Sequence, residues 1–81
     1  MRFWFKNCPR CRQGRLFIMR LGDTGALYLH CEECEWAWDD PTQTDDPDRG
    51  KLGIDIDGDY ASKRRIEEMG WRAYAVNATS E

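Results

Sequence analysis

Four cysteines in 81 residues constrain this chain more than anything else in it. They form two C-x-x-C pairs, Cys8-Pro9-Arg10-Cys11 and Cys31-Glu32-Glu33-Cys34, with nineteen residues between Cys11 and Cys31. Four thiolates complete the coordination of one tetrahedral zinc, and tight turns supply them two at a time at this spacing. A chain of this size buries too little apolar surface to be generously stable, so a metal staple is expected. The expected cofactor is therefore one Zn2+ per chain, held by Cys8, Cys11, Cys31 and Cys34. A closed four-cysteine site has no open position for water, which argues for a scaffold and against zinc catalysis. Two rivals address the same thiols: iron, which four thiolates also bind, and reversible disulfide chemistry, for which no thioredoxin-like strand–helix pattern surrounds either pair.

The chain around the cysteines reads as short strands. Phe3 and Phe5 alternate with Arg2, Trp4 and Lys6 over residues 2–6, the period of a half-buried strand. Gly14 closes the first turn, where glycine is expected to supply a positive φ. Arg15–Leu21 and Ala26–His30 form a hairpin about Gly22-Asp23-Thr24-Gly25, and residues 35–38 form a further short strand. Knuckle, hairpin and knuckle together resemble the zinc-ribbon group over residues 3–38. The resemblance implies a small antiparallel sheet and metal ligands at the four cysteines. Zinc ribbons serve many functions, so it carries little about activity.

Residues 39–51 change character. Asp39 to Asp48 holds five aspartates and two prolines and no apolar anchor, the composition of an exposed, mobile loop. Structure is expected to resume over 52–76 as a strand–helix–strand unit. Leu52, Ile54 and Ile56 alternate, a helix over 61–69 has Asp59 or Ser62 as N-cap and Gly70 as its stop, and Trp71, Ala73 and Ala75 alternate as a last strand. Residues 77–81 read as a frayed tail. The expected fold class is α+β in one domain: ribbon, acidic loop, strand–helix–strand.

Charge is strongly segregated. Residues 1–20 carry six basic side chains and no acid, whereas residues 31–60 carry eleven acids against Arg49 and Lys51; the net charge is −3. The two halves either neutralise each other across the fold or form a docking surface. Two surfaces are candidates: Arg2, Trp4, Lys6, Arg10 and Arg12 on the basic side, and Asp45, Asp46 and Asp48 on the acidic side. Trp4 sits between Arg2 and Lys6 and is the better exposed platform, while Trp36 and Trp38 read as core.

No nucleophile–base pair, phosphate loop or open metal site is visible, so no catalysis and no small-molecule substrate are expected. His30 adjoins Cys31 on a strand and points away from it. Asp55-Ile56-Asp57-Gly58-Asp59 falls short of a calcium loop, because glycine comes at the fourth place and Ile66 stands at the twelfth. No apolar run is long enough for a membrane span, and C-x-x-C pairs favour metal in a reducing cytoplasm. The expected function is a non-catalytic protein-interaction module, acidic towards a basic partner in the manner of immunity and antitoxin proteins. The alternative is nucleic-acid binding through the basic strand and first knuckle, against which net acidity counts.

Overall fold

The computed structural model describes residues 1–22, 24–52 and 58–80. Among these, the strands are β1 (Arg2–Asn7), β2 (Arg15–Arg20), β3 (Leu27–Cys31), β4 (Trp36–Trp38), β5 (Lys51–Leu52), β6 (Asp59–Tyr60) and β7 (Asn77–Thr79), with one α-helix, α1 (Lys63–Glu68). They form one antiparallel sheet in the order β5-β4-β3-β2-β1-β7, with β6 also paired to β2. β2 is the centre. It pairs with β3 from Leu16↔Cys31 to Arg20↔Leu27, with β1 at Trp4↔Phe17, and with β6 at Met19↔Tyr60. Leu16, Phe17 and Ile18 are buried in succession because both faces of β2 are covered: Leu16 and Ile18 join the core cluster, and Phe17 lies against the Tyr60 ring and the Arg15 guanidinium.

Register divides the sheet into two faces. One cross-strand row runs Trp4, Phe17, His30, Ala37, Lys51. The opposite face carries Ile18, Leu29 and Trp38 in one row, and α1 packs there through Ile66, with Ala61 beside it. The Ala61 N–H donates to the Ile18 carbonyl at 3.0 Å, fixing the approach to the helix. α1 begins at Ser62, whose hydroxyl accepts from the Arg65 N–H. It ends at Gly70 (φ +74) with Gly70 N–H donating to Glu67 and Trp71 N–H to Ile66. These two bonds are the Schellman closure, and they satisfy carbonyls the helix would leave unpaired. Arg65 reaches back with two donors to the Gly25 carbonyl, tying the helix to the β2–β3 hairpin.

Beyond residue 38 the architecture departs from the expected one. The strand–helix–strand unit over 52–76 does not take that form among the described residues. Lys51–Leu52 is a strand, but the predicted run through Ile54 and Ile56 falls on residues 53–57, outside the described set, as do Asp55 and Asp57 of the rejected calcium loop. Arg72–Tyr74 is a 3-10 turn where a strand was expected. The residues that meet the core are Trp71, Tyr74 and Ala75. That is an i, i+3, i+4 set, the spacing of a helical turn, and Ala73 of the apparent alternation is exposed.

The tail is not frayed through Thr79. Asn77–Thr79 pairs with β1 at Arg2↔Thr79, Phe3↔Ala78 and Trp4↔Asn77, and the Asn77 side chain donates to the Phe5 carbonyl. The acidic stretch is folded as well. Pro41–Gln43 and Pro47–Arg49 are 3-10 turns, capped by the Asp40 and Asp46 carboxylates, which accept from the Thr42 and Asp48 N–H groups. Thr44 between them is buried at 2% exposure, its hydroxyl donating to Pro41. The segment has no apolar anchor of its own. Its anchor is the pair of indoles on β4: Trp36 Nε1 donates to the Pro47 carbonyl (2.9 Å) and Trp38 Nε1 to that of Asp46 (3.0 Å). Buried tryptophans need an acceptor for that N–H, and a polar loop supplies two.

Candidate metal centre

The two C-x-x-C turns close on each other because β2 and β3 are adjacent. β1 leads into Cys8; Gly14 leads out of the first turn into β2; β3 returns the chain to Cys31 opposite Leu16. The two turns are built alike. In the first, the Arg12 N–H donates to the Cys8 carbonyl and Arg12 takes φ 60; in the second, the Glu35 N–H donates to Cys31 and Glu35 takes φ 62. The positive φ therefore falls on the residue after each second cysteine, and neither is glycine.

Gly14 is required for a different reason from the one expected. A Cβ there would lie 2.5 Å from Cys31 Sγ and 2.9 Å from Glu33 Cγ. Only a hydrogen fits between the two turns. Immediately beyond Gly14, Arg15 ties the turns together: its Nε and Nη2 donate to the Glu32 carboxylate at 2.6 and 2.9 Å, and its backbone N–H donates there too. The Glu32 N–H returns a bond to the Arg15 carbonyl. Hydrogen bonding to Arg15 holds the Glu32 carboxyl below the ordinary glutamate value.

The four sulfurs all lie within 4.8 Å of one another. Cys8 and Cys34 are 3.8 Å apart at Sγ, and Cys11 and Cys31 are 3.5 Å apart. A tetrahedron with sulfur arms of ~2.3 Å has edges of about 3.8 Å, so the thiols are positioned to bind one metal ion. Cys8 and Cys31 are fully buried, while Cys11 and Cys34 are half-buried. Burial pushes the Cys31 thiol up to about 12 and raises Cys8 as well. Backbone N–H groups of Gln13 and Gly14 lower Cys11 to about 6. The Glu33 and Cys34 N–H groups donate to Cys31 Sγ at 3.4 Å. Each turn thus offers donors that stabilise thiolate, and a cation between the sulfurs opposes the burial that favours thiol.

His30 stands in the outer row with Phe17 and Ala37, on the face opposite the inner cysteine Cys31. It packs edge-on against Tyr28, and burial lowers its pKa. It takes no part in the cluster.

The two candidate docking surfaces are not separate. Lys6 of β1 is bonded to Asp45 of the acidic segment. Arg10 of the first turn lies 4.2 Å over the Trp36 ring, and Arg2 lies 4.0 Å over Tyr60. Trp4 is half-buried with the Arg15 guanidinium 5.7 Å from its ring. Asp46 caps a turn and sits 3.8 Å from Arg49. Arg12 and Asp48 are exposed. Trp38 is buried and Trp36 half-buried, both on the inner face. Sequence reasoning named Gly14 but for backbone freedom, not close approach, and it missed Gly50, which packs against Trp36 and Trp38, the Arg15–Glu32 tie and the order in the acidic segment. The signal for the last was present: Asp-Asp-Pro occurs twice, six residues apart, and Asp before Pro is a helix cap followed by a favoured first residue.

Compared with protein-family models, curated proteins and solved structures, the chain matches none. No helix among the described residues is long and apolar enough to cross a membrane.

Proposed function

We propose that this chain is a non-catalytic, zinc-ribbon-like module in which Cys8, Cys11, Cys31 and Cys34 hold one zinc ion and the segment 39–49 presents an acidic face to a basic protein partner. The metal assignment rests on an all-sulfur donor set at tetrahedral spacing, the preference of structural zinc. Metal analysis distinguishes zinc from iron, whose thiolate complex is coloured.

One observation carries the partner assignment. Four of the six basic side chains in the first twenty residues lie against the protein's own groups, Arg2 on Tyr60, Arg10 on Trp36, Lys6 on Asp45 and Arg15 on Glu32, while Arg12 and Arg20 stay exposed. On the acidic side, Asp39 and Asp48 are exposed and their carboxylates make no ion pair among the described residues. What remains for a partner is predominantly negative, and complementary charge favours a basic protein surface. The comparison with immunity and antitoxin proteins is one of charge and size.

Calorimetric titration of the zinc-loaded protein with a decalysine peptide tests the reading. Binding that weakens on D39N/D48N substitution and with added salt is expected. Absence of binding in low salt, together with a mobility shift of mixed DNA or RNA oligonucleotides at 50 mM salt, would replace it with the nucleic-acid reading.

A further inference from the structure

The acidic segment and the metal centre meet at Trp36 and at Lys6. Trp36 begins β4 two residues after Cys34, and its ring is used on two sides. The guanidinium of Arg10, between Cys8 and Cys11, lies 4.2 Å from the ring centroid. The indole N–H of the same ring donates to the Pro47 carbonyl in the second acidic turn. Gly50, at the end of that turn, comes so close that a Cβ would stand 2.3 Å from Trp36 Nε1 and 2.8 Å from Trp38 Cε2. Lys6, two residues before Cys8, is bonded to Asp45 in the same segment. Two of the groups that hold the segment, Lys6 and Trp36, thus lie two residues from a cysteine, while Trp38 holds it from within the sheet by its bond to Asp46; the segment contains no apolar residue of its own.

From this geometry we infer that zinc binding and the display of the acidic face are coupled, with Arg10 and Trp36 as the positioning residues between them. The inference rests on the proposed partner reading and adds its regulation. Metal held by Cys8 and Cys11 fixes the turn that carries Arg10. Metal held by Cys31 and Cys34 fixes the start of β4. Together they hold the Trp36 ring where its N–H meets Pro47, and the Asp-capped turns follow. Linkage is reciprocal, so a basic partner that engages the ordered segment tightens the hold on zinc.

Hydrogen exchange on the full chain saturated with zinc tests the coupling, read at the turn amides of Gln43, Asp46, Arg49 and Gly50, which donate within the segment. Arg10→Ala removes the stacked cation. An exposed cation–π contact is worth enough to raise exchange at these amides by about two- to fivefold, while the β2–β3 amides stay as in wild type. Arg10→Lys, which keeps a cation over the ring, restores part of the protection. Trp36→Phe keeps a ring for Arg10 but loses the bond to Pro47, and raises exchange in the same segment. Decalysine binding falls in Arg10→Ala in proportion to the lost protection. Unchanged segment exchange in Arg10→Ala and Trp36→Phe overturns the coupling, whatever decalysine does. Failure of decalysine to bind wild type, with the exchange differences present, overturns the partner reading and leaves the coupling standing.

Discussion

Replacing Gly14 by alanine tests whether the two cysteine turns are as closely packed as the geometry requires. The new Cβ would stand 2.5 Å from Cys31 Sγ and 2.9 to 3.0 Å from Glu33 Cγ and Cβ. Comfortable separation is about 3.5–4 Å, so about 1 Å must be found. Glu33 is exposed and its side chain moves away readily. Cys31 does not: it is fully buried, and its sulfur belongs to the four-cysteine cluster. The backbone at Gly14 is equally held, because its carbonyl accepts the Cys8 N–H at 2.7 Å and its neighbour Arg15 is clamped to Glu32. Overpacking of this kind costs typically ~1–3 kcal/mol. A mid-range cost of about 2 kcal/mol is a roughly thirtyfold loss of zinc affinity. It lowers the thermal midpoint of the loaded protein by about 8–16 °C for a domain of this size. Competition with a chromophoric chelator reads the affinity, and the thiolate bands of the cobalt(II)-substituted protein read the ligand geometry. Gly70→Ala serves as the control. Its φ of +74 penalises an L-residue, but no atom lies within 4 Å of the new Cβ, so stability falls while the cobalt bands stay as in wild type. A Gly14→Ala protein with wild-type zinc affinity and an unchanged cobalt spectrum would refute the argument.

Other perturbations separate the remaining supports. Removing the metal with a chelator is expected to abolish the folded circular-dichroism signal, since structural zinc is worth on the order of 10 kcal/mol, comparable with the entire stability of a small domain; a folded protein with well under one metal per chain would sink the scaffold reading. Gly50→Ala puts a methyl against Trp36 and Trp38, and should cost ~1–3 kcal/mol and alter the near-ultraviolet dichroism of the indoles. Glu32→Gln breaks the clamp to Arg15 and should cost about 1 kcal/mol at neutral pH. Because the folded Glu32 pKa is depressed from 4.5, its contribution is present above pH 4.5 and is lost as pH falls through the folded value. The gap between wild type and Glu32→Gln therefore closes in acid, whereas a pH-independent gap would show that the clamp is not ionic.

The legible parts of the chain were those whose cause is local. Phe3 and Phe5 against Arg2 and Trp4, the apolar run Leu16–Ile18 and the return through Leu27–Leu29 each betray a strand within a few residues. Ser62 and Gly70 bracket a helix by capping chemistry alone. Local pattern failed at Trp71–Val76, where a two-residue and a three-to-four-residue period compete over six positions and only burial decides. It failed at Asn77–Thr79 because the pairing partner of that strand is β1, at the other end of the chain. It failed at 39–49 because the anchors of that segment are tryptophans outside it.

The metal centre divides the same way. Sequence alone determined that Cys8, Cys11, Cys31 and Cys34 act as one set, since the number and spacing of thiols are a property of the chain. It also determined that charge is segregated between the N-terminal twenty residues and the stretch that follows Cys31. Only the tertiary structure decided where that charge goes. Lys6, Arg10 and Arg15 are separated in sequence from Asp45, Trp36 and Glu32. The β2–β3 pairing brings Arg15 to Glu32, whereas Lys6 and Arg10 meet groups on or after β4, a strand that is not a neighbour of β1 in the sheet. It also decided that Gly14 serves close approach between two turns, not backbone freedom within one, because the sulfur it must admit arrives from Cys31.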